Sequence, residues 1–187
     1  MAIVLAITGA SGVIYGVELL KALHGLDRPP YLIVSRAGEQ TLALETGHTL
    51  ADLQPLAKAV FAVDDLAAPL ASGSFACEGM VVAPCSIKSL SAIANSFSHN
   101  LIIRAADCCL KERRPLVLMV RETPLHQGHL RLMSQAAQAG AIIMPPMPAF
   151  YHQPDSLQDV IRQTVGRVLE QFRIEHNLYQ PWQGMKK

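Results

Sequence analysis

One segment of this chain, Gly9-Ala10-Ser11-Gly12, has the residue types of an anion-binding turn. It follows an apolar run and precedes a helical pattern, and at such a junction free backbone N–H groups and the helix dipole favour a phosphate. The spacing is not G-x-G-x-x-G, and Ser35 and Arg36 stand where a dinucleotide-binding chain has an acid. These residues suit a mononucleotide phosphate or a flavin edge, although the same turn also serves as a plain strand-to-helix connection.

A second turn of this kind follows the apolar run Gly79 to Ala83. Cys85-Ser86-Ile87-Lys88-Ser89 combines two hydroxyl groups, backbone donors and one ammonium group at the start of a predicted helix. This combination favours a second anion-binding turn at the C-terminal end of a strand. In the alternative interpretation, Ser86 only caps the helix, and Lys88 and Ser89 face solvent.

Arg104, Asp107 and Lys111 lie at positions i, i+3 and i+7 of a predicted helix. This spacing places them on one face, where Asp107 is expected to pair with both cations. The neighbouring residues are apolar, so much of the helix is expected to be buried, and a buried cationic face favours an anionic ligand or partner. The alternative is a solvated stripe of salt bridges.

Charged and imidazole side chains follow the predicted strand Leu116 to Val120. Arg121 and Glu122 come directly after it, at the edge where open α/β sheets build their sites, unless they form only a loop ion pair. His126 and His129 are three residues apart and could ligate a metal only with a third ligand, which the sequence does not identify. We therefore predict no metal site.

The composition limits the classes of protein to consider. The chain has 187 residues, of which 50% are hydrophobic and 17% charged, and its net charge is +1. These values favour one folded domain without a basic surface for nucleic acid. The four cysteines lack C-x-x-C spacing, so we expect free buried thiols. Neither an apolar run of about 18 residues nor a secretory signal is found, so we expect a cytoplasmic protein that does not span a membrane.

Short apolar runs alternate with helical patterns along the chain. This alternation predicts a single-domain α/β fold, a Rossmann-like or flavodoxin-like parallel sheet with helices on both faces. The domain is expected over residues 1–174, and the tail 175–187 is expected to pack on a neighbouring subunit. The predicted strands are Ala2 to Ile7, Tyr31 to Val34, Val60 to Val63, Gly79 to Ala83, Leu116 to Val120 and Ala141 to Met144. The predicted helices are Val13 to His24 with Gly25 as its cap, Arg36 to Glu45, Leu50 to Lys58, Ser86 to Asn95, Leu101 to Arg113, His129 to Gly140 and Ser156 to Phe172.

Several motifs together resemble one protein family. They are Gly9-Ala10-Ser11-Gly12, Ser72-Gly73-Ser74-Phe75, Pro84-Cys85-Ser86, Arg104-Ala105-Ala106-Asp107, Leu110-Lys111-Glu112-Arg113-Arg114-Pro115-Leu116, Arg121-Glu122-Thr123-Pro124-Leu125 and Pro148-Ala149-Phe150-Tyr151-His152. In these motifs the chain closely resembles the UbiX-type flavin prenyltransferases, from about Ile3 to Phe172 and without large gaps. In that family the Pro-Cys-Ser turn makes Cys85 a packing residue rather than a nucleophile.

The resemblance implies a Rossmann-like flavoprotein that assembles as a homododecamer and binds FMN between subunits. It also implies prenyl transfer from dimethylallyl monophosphate to N5 and C6 of reduced FMN, without a metal. The product, prenylated FMN, is the cofactor of UbiD-type decarboxylases, so such a decarboxylase is the expected recipient.

The resemblance also assigns roles to individual residues. FMN binding falls to Gly9, Ala10, Ser11, Ser35, Ser86, Ile87, Lys88, Ser89 and Arg121. Binding of the prenyl phosphate falls to Arg104, Lys111, Tyr151 and Arg167. Catalytic roles fall to Ser11, Glu122 and Lys111.

Two other functions stay open at this point. One is an FMN-dependent cysteine decarboxylase, a related class with its own histidine and an Asn-containing substrate motif, which we do not find in this sequence. The other is a protein that stores or delivers prenylated FMN. The complete set of matched residues favours prenyl transfer over both.

Overall fold

The fold is built on a parallel sheet of six strands. A computed structural model describes residues 2–184, and the strands lie in the order β3-β2-β1-β4-β5-β6. They are β1 (Val4–Ile7), β2 (Tyr31–Val34), β3 (Ala59–Phe61), β4 (Met80–Cys85), β5 (Leu116–Val120) and β6 (Ile142–Ile143). The strand order reverses between β1 and β4, and ligands of doubly wound sheets bind at such a point, outside the carboxyl ends of the strands.

Helices cover both faces of the sheet. They are α1 (Val13–Gly25), α2 (Arg36–Thr46), α3 (Leu50–Leu53), α4 (Ile87–Ala94), α5 (Leu101–Lys111), α6 (Gln127–Gln138) and α7 (Leu157–Gln171). Side chains alternate along β1, so Leu5 packs with α1 and α7 while Ala6 packs with α4 and α5. Among the described helices, none is long and apolar enough to cross a bilayer.

The predicted parallel α/β sheet with helices on both faces is confirmed, and two local predictions are wrong. The third helix ends at Leu53 and continues only as a 3-10 turn, Gln54–Leu56. Pro55 causes this early end because it lacks a backbone N–H and restricts the residue before it. Gly25 is the last residue of α1 rather than its cap, and the left-handed conformation falls on Asp27, with φ of 57°.

Thr8 joins the ends of β1 and β4. Its hydroxyl donates to the carbonyl oxygen of Pro84 (2.7 Å) and accepts from the backbone N–H of Ser86 (2.9 Å). The side chain is 2% exposed, so both hydrogen bonds are shielded from water. The two turns that follow β1 and β4 are therefore held side by side.

The described part of the tail packs on its own chain. Ile174 is buried and Leu178 packs against the apolar cluster beside α7, and the hydroxyl of Tyr179 donates to Glu170 (2.5 Å). Residues 185–187 of the predicted tail lie outside the described residues. Packing of the tail on a neighbouring subunit stays a prediction.

Two glycines of α1 give a matched test of how this helix meets the sheet. A Cβ atom on Gly16 would overlap the carbonyl oxygen of Ala83 and lie 2.9 Å from Cγ1 of Ile7, whereas a Cβ on Gly25 would meet nothing within 4 Å. We expect Gly16→Ala to lower the free energy of unfolding by about 1 to 3 kcal/mol through overpacking. Gly25→Ala should instead raise it by about 0.5 to 1 kcal/mol, because alanine is the better helix former.

Urea unfolding of both variants checks this prediction. Equal effects of the two substitutions would show that α1 does not depend on close contact with β4.

Candidate active site

A cavity of about 410 Å³ lies at the carboxyl edge of the sheet, where the strand order reverses. The residues that line it include Thr8, Gly9, Ser35, Ser86, Lys88 and Ser89. The helices α2 and α4 both begin here, so their free N–H groups and positive dipole ends face the same space. Hydroxyl groups, an ammonium group and two helix N-termini together suit a phosphate group.

Serine residues at these helix starts act as caps. The N–H of Gly38 donates to Oγ of Ser35 (3.0 Å), and the N–H of Ser89 donates to Oγ of Ser86 (3.3 Å). The hydroxyl of Ser86 also donates to Oγ of Ser89 (3.1 Å). The capping role considered for Ser86 in the sequence analysis is thus present. The hydroxyls of Ser35, Ser86 and Ser89 also line the cavity.

The start of α1 is already occupied by a carboxylate of the chain itself. Oε2 of Glu45, at the end of α2, accepts from the N–H groups of Gly12 (2.8 Å) and Val13 (3.2 Å). The side chain of Ser11 lies close enough to this carboxylate to help lower its pKa. The predicted anion-binding turn after β1 therefore binds an anion, but that anion is Glu45, which the sequence analysis missed.

The environment of Glu45 lowers its pKa. Partial burial raises the pKa, but the side chain of Ser11, the hydrogen bonds from Gly12 and Val13 and the nearby charge of Arg121 together outweigh this effect. The carboxylate is exposed, so solvent screens part of the gain. Ser11, Glu45 and Arg121 thus form one group beside the cavity.

Arg121 and Glu122 follow β5 at the same edge of the sheet. The N–H of Arg121 donates to the carbonyl oxygen of Cys85 (3.1 Å), which places it beside the second turn. Oε1 of Glu122 accepts from the N–H of Thr123 (3.0 Å), and the side chain is otherwise exposed. Glu122 is therefore near the cavity and accessible.

A second cavity, of about 700 Å³, lies between α7 and the tail. Tyr151, Arg167, Glu170 and Trp182 line it. Arg167 forms an ion pair with Glu170, and the rings of Tyr151 and Trp182 meet edge to face with centroids 5.9 Å apart. This cavity brings together two of the four residues predicted to bind the prenyl phosphate, Tyr151 and Arg167.

The other two, Arg104 and Lys111, lie on α5. Asp107 pairs with Arg104 (2.9 Å), whereas Lys111 pairs with Glu112. The prediction that Asp107 pairs with both cations is wrong, because the adjacent Glu112 takes Lys111. Arg104 also donates to the carbonyl oxygen of Ala71 (2.9 Å), so this part of α5 is tied to the segment that follows β3.

The predicted site residues thus fall into separate groups within one chain. Asn100 at the start of α5 lines the first cavity, but an α-helix rises about 1.5 Å per residue, so Lys111 lies about 15 Å further along. Tyr151 and Arg167 belong to the other face, where α7 packs. One chain alone does not bring all of these side chains to one point.

Cysteine and histidine residues carry no separate site in the described residues. All four cysteines are free and buried, and burial raises the pKa of the Cys85 thiol to about 12, which suits a packing role. The rings of His126 and His129 lie with centroids 3.6 Å apart and are tilted by 32°. Across residues 2–184, no cluster of three or more potential metal ligands is found.

Comparison with known proteins identifies the family. The flavoprotein family model matches residues 1–166. The flavin prenyltransferase UbiX of Escherichia coli K12 is 57% identical over 185 residues, which cover 97% of this chain and 98% of the relative. The chain belongs to the UbiX family of flavin prenyltransferases.

Solved structures of UbiX-like proteins share the fold. A crystal structure of AnUbiX (PadA1) in complex with FMN and dimethylallyl pyrophosphate matches with a TM-score of 0.97 at 45% identity, over 99% of this chain and 98% of that chain. A dodecameric FMN-dependent UbiX-like decarboxylase from Escherichia coli O157:H7 matches with a TM-score of 0.95 at 41% identity, over 98% and 100% of the two chains. The predicted family and fold class are confirmed, and the roles of single residues stay predictions.

Glu45 should make stability depend on pH in a defined direction. Its folded-state pKa is lowered, so its contribution is present above the unfolded-state pKa and is lost as the pH falls through the folded-state value. At pH 7 we expect Glu45→Gln to be less stable than the parent by about 0.5 to 1 kcal/mol, the usual value of an exposed cap. The difference should shrink towards zero between about pH 5 and pH 3.

Urea unfolding of the parent and Glu45→Gln across this pH range measures the difference. Glu175→Gln removes the same charge from the exposed tail and should show no such trend. A difference that stays constant down to pH 3 would contradict the assignment of the titrating group.

Proposed function

We propose that this chain transfers a dimethylallyl group from dimethylallyl monophosphate to N5 and C6 of reduced FMN. FMN is the acceptor substrate here, and phosphate and prenylated FMN are the products. The observation that carries the proposal is the cavity lined by hydroxyl groups, an ammonium group and two helix starts at the point where the strand order reverses, in a chain that belongs to the UbiX family. A UbiD-type decarboxylase is the proposed recipient of the product.

The first cavity is the proposed FMN site. Ser35, Ser86, Lys88 and Ser89 offer hydroxyl, ammonium and helix N-terminal donors to the FMN phosphate. Gly9 lies at the cavity wall, close to Ala37, where a Cβ atom would overlap the Cβ of Ala37. Because the chain passes this closely, a side chain at position 9 would disturb the wall. Backbone groups of Ala10 and Ile87 and the charge of Arg121 complete the proposed FMN contacts.

Cationic and hydroxyl groups are proposed to bind the donor phosphate. Cleavage of the allylic C–O bond leaves a carbocation-like C5 fragment and increases the negative charge on the phosphate. Arg104, Lys111 and Arg167 would stabilise this growing charge, and Tyr151 would add a hydrogen bond. In this assignment the protein's own cations promote the departure of the phosphate.

Proton transfer is assigned to Glu122 and Ser11. Bond formation at N5 and at C6 each removes one proton from the flavin. One proton must be returned to the prenyl C=C bond as the ring closes at C6, and the other leaves with the phosphate, so a group within reach must both accept and donate a proton. Glu122 is exposed after the end of β5, and Ser11 lies near Glu45 at the same edge of the sheet. These groups could pass protons between flavin, phosphate and solvent.

Assembly is part of the proposal, because one chain separates the residues assigned to the donor phosphate. Large apolar side chains are exposed on the described surface, including Leu44 at 86%, Leu157 at 75% and Met147 at 70%. Burial of such side chains between subunits is favourable. We propose a dodecamer in which residues of neighbouring subunits complete each site.

The proposed activity has a direct test. The purified protein is incubated without oxygen with reduced FMN and dimethylallyl monophosphate, and the released flavin is analysed by mass spectrometry. We expect a flavin heavier by one C5H8 unit, together with one phosphate per flavin. Omission of the donor is the control.

Unmodified FMN would reject the proposed transfer. If the protein then binds added prenylated FMN tightly, a storage or delivery role is favoured. If it instead oxidises a C-terminal peptidyl cysteine with release of carbon dioxide, the cysteine decarboxylase alternative is favoured.

Mixed oligomers test whether a site takes residues from different subunits. Glu122→Gln should still bind FMN but prenylate it slowly, and Lys111→Ala should mainly weaken use of the donor. When the two impaired variants are dissociated, mixed and reassembled, some sites should contain intact Glu122 from one chain and intact Lys111 from another. We therefore expect activity to return, up to about one quarter of the parent value for random mixing of the two residues.

Each variant dissociated and reassembled alone is the control. Reassembled mixtures that stay as slow as the separate variants would show that one chain supplies both residues to a site. Parent-like activity of either variant alone would show that the site does not need that residue.

A further inference from the structure

The hydroxyl of Tyr151 has a buried partner that the proposed mechanism does not use. Gln163 lies on α7 and is 5% exposed, although its side chain is polar. Its amide Nε2 donates to the hydroxyl oxygen of Tyr151 (3.2 Å). Both residues line the cavity that also contains Arg167 and Trp182.

The direction of this hydrogen bond determines whether the hydroxyl of Tyr151 can donate its own hydrogen to another group. A tyrosine hydroxyl has one hydrogen to donate and lone pairs that accept. The amide of Gln163 occupies a lone pair, and the described residues offer no acceptor for the hydrogen of Tyr151. Within the described residues the hydroxyl hydrogen thus has no protein acceptor, and the side chain is 45% exposed at the wall of a cavity, where this hydrogen can be donated to water or to a ligand.

Arg167, in the same cavity, already has a charged partner. Its guanidinium already pairs with Glu170, and Glu170 also accepts from the hydroxyl of Tyr179. An incoming anion must compete with this carboxylate for Arg167. The hydroxyl of Tyr151 is free of such competition, because Gln163 is neutral and contacts only its oxygen side.

We propose that Gln163 is a positioning residue that directs the hydroxyl hydrogen of Tyr151 towards the phosphate of the prenyl donor. This inference rests on the proposed function, since it assumes that the donor phosphate enters the cavity of Tyr151 and Arg167. Gln163 itself does not touch the donor. It holds the phenol ring in place and leaves the hydroxyl only one direction in which to donate.

Substitutions at Gln163 separate positioning from packing. Gln163→Met keeps the length of the side chain but removes the amide, so KM for dimethylallyl monophosphate should rise about fivefold with little change in kcat. Gln163→Glu replaces the donor with a carboxylate that accepts the hydroxyl hydrogen of Tyr151. It should raise KM further, to the level of Tyr151→Phe, because the hydroxyl then points away from the phosphate.

The control is Gln158→Met on the same helix. The amide of Gln158 is also hydrogen-bonded, to Glu18 (2.8 Å), but it does not line the cavity. We expect its KM to equal that of the parent. The affinity for FMN, measured by flavin fluorescence, should be unchanged in every variant because none of the substituted residues lines the FMN cavity.

A double variant shows whether Gln163 acts through Tyr151. In Tyr151→Phe the hydroxyl is absent, so adding Gln163→Met should raise KM by less than about twofold more. The proposal is overturned if the two effects multiply, or if Gln163→Met alone leaves KM unchanged.

A second measurement does not depend on prenyl transfer. The affinity for inorganic phosphate, measured by calorimetry, should fall about fivefold in Gln163→Met and stay unchanged in Gln158→Met. If the parent makes no prenylated FMN but this pattern holds, the proposed function fails and the role of Gln163 stands. Equal phosphate binding by the parent and Gln163→Met, or no phosphate binding by the parent, overturns the role of Gln163.

Discussion

The hydroxyl of Thr8 is the contact on which the first cavity depends. It bonds the carbonyl of Pro84 and the N–H of Ser86, and so fixes the end of β1 to the end of β4 at the point where the strand order reverses. Because these bonds are buried, an apolar residue at position 8 would leave the backbone N–H of Ser86 without this partner, although the carbonyl of Pro84 would still accept from the backbone N–H of residue 8. The glycine-rich turn, the start of α4 and the close packing of α1 on β4 all follow from this junction.

The starts of α1, α2 and α4 differ in which group accepts their free N–H groups. The N-terminus of α1 is satisfied by the carboxylate of Glu45, whereas the starts of α2 and α4 are capped by Ser35 and Ser86 and still open onto the cavity. A ligand phosphate is therefore expected to bind at the starts of α2 and α4. Glu45 instead accepts from the N–H groups of Gly12 and Val13 and so fixes the turn that contains Ser11.

Features that depend on neighbouring residues were predictable from the sequence. Apolar runs marked the strands, and Ser86 was recognised as a possible cap at the start of α4, although the effect of Pro55 on α3 was overlooked. Long-range partners were not predictable. Glu45 lies 33 positions from Gly12, Gln163 lies 12 positions from Tyr151, and the choice of Lys111 between Asp107 and Glu112 depends on side-chain geometry rather than spacing. The functional assignment came from the motifs taken together.

The cations assigned to the donor phosphate each have a carboxylate close by in sequence: Asp107 for Arg104, Glu112 for Lys111 and Glu170 for Arg167. These ion pairs lower the affinity of each cation for a phosphate, because the phosphate must compete with the carboxylate. In an enzyme whose leaving group is phosphate, this lower affinity would speed the release of phosphate after the reaction. As the free phosphate departs, each cation can pair again with its own carboxylate. Product release would therefore replace one ion pair with another and leave no cation unpaired.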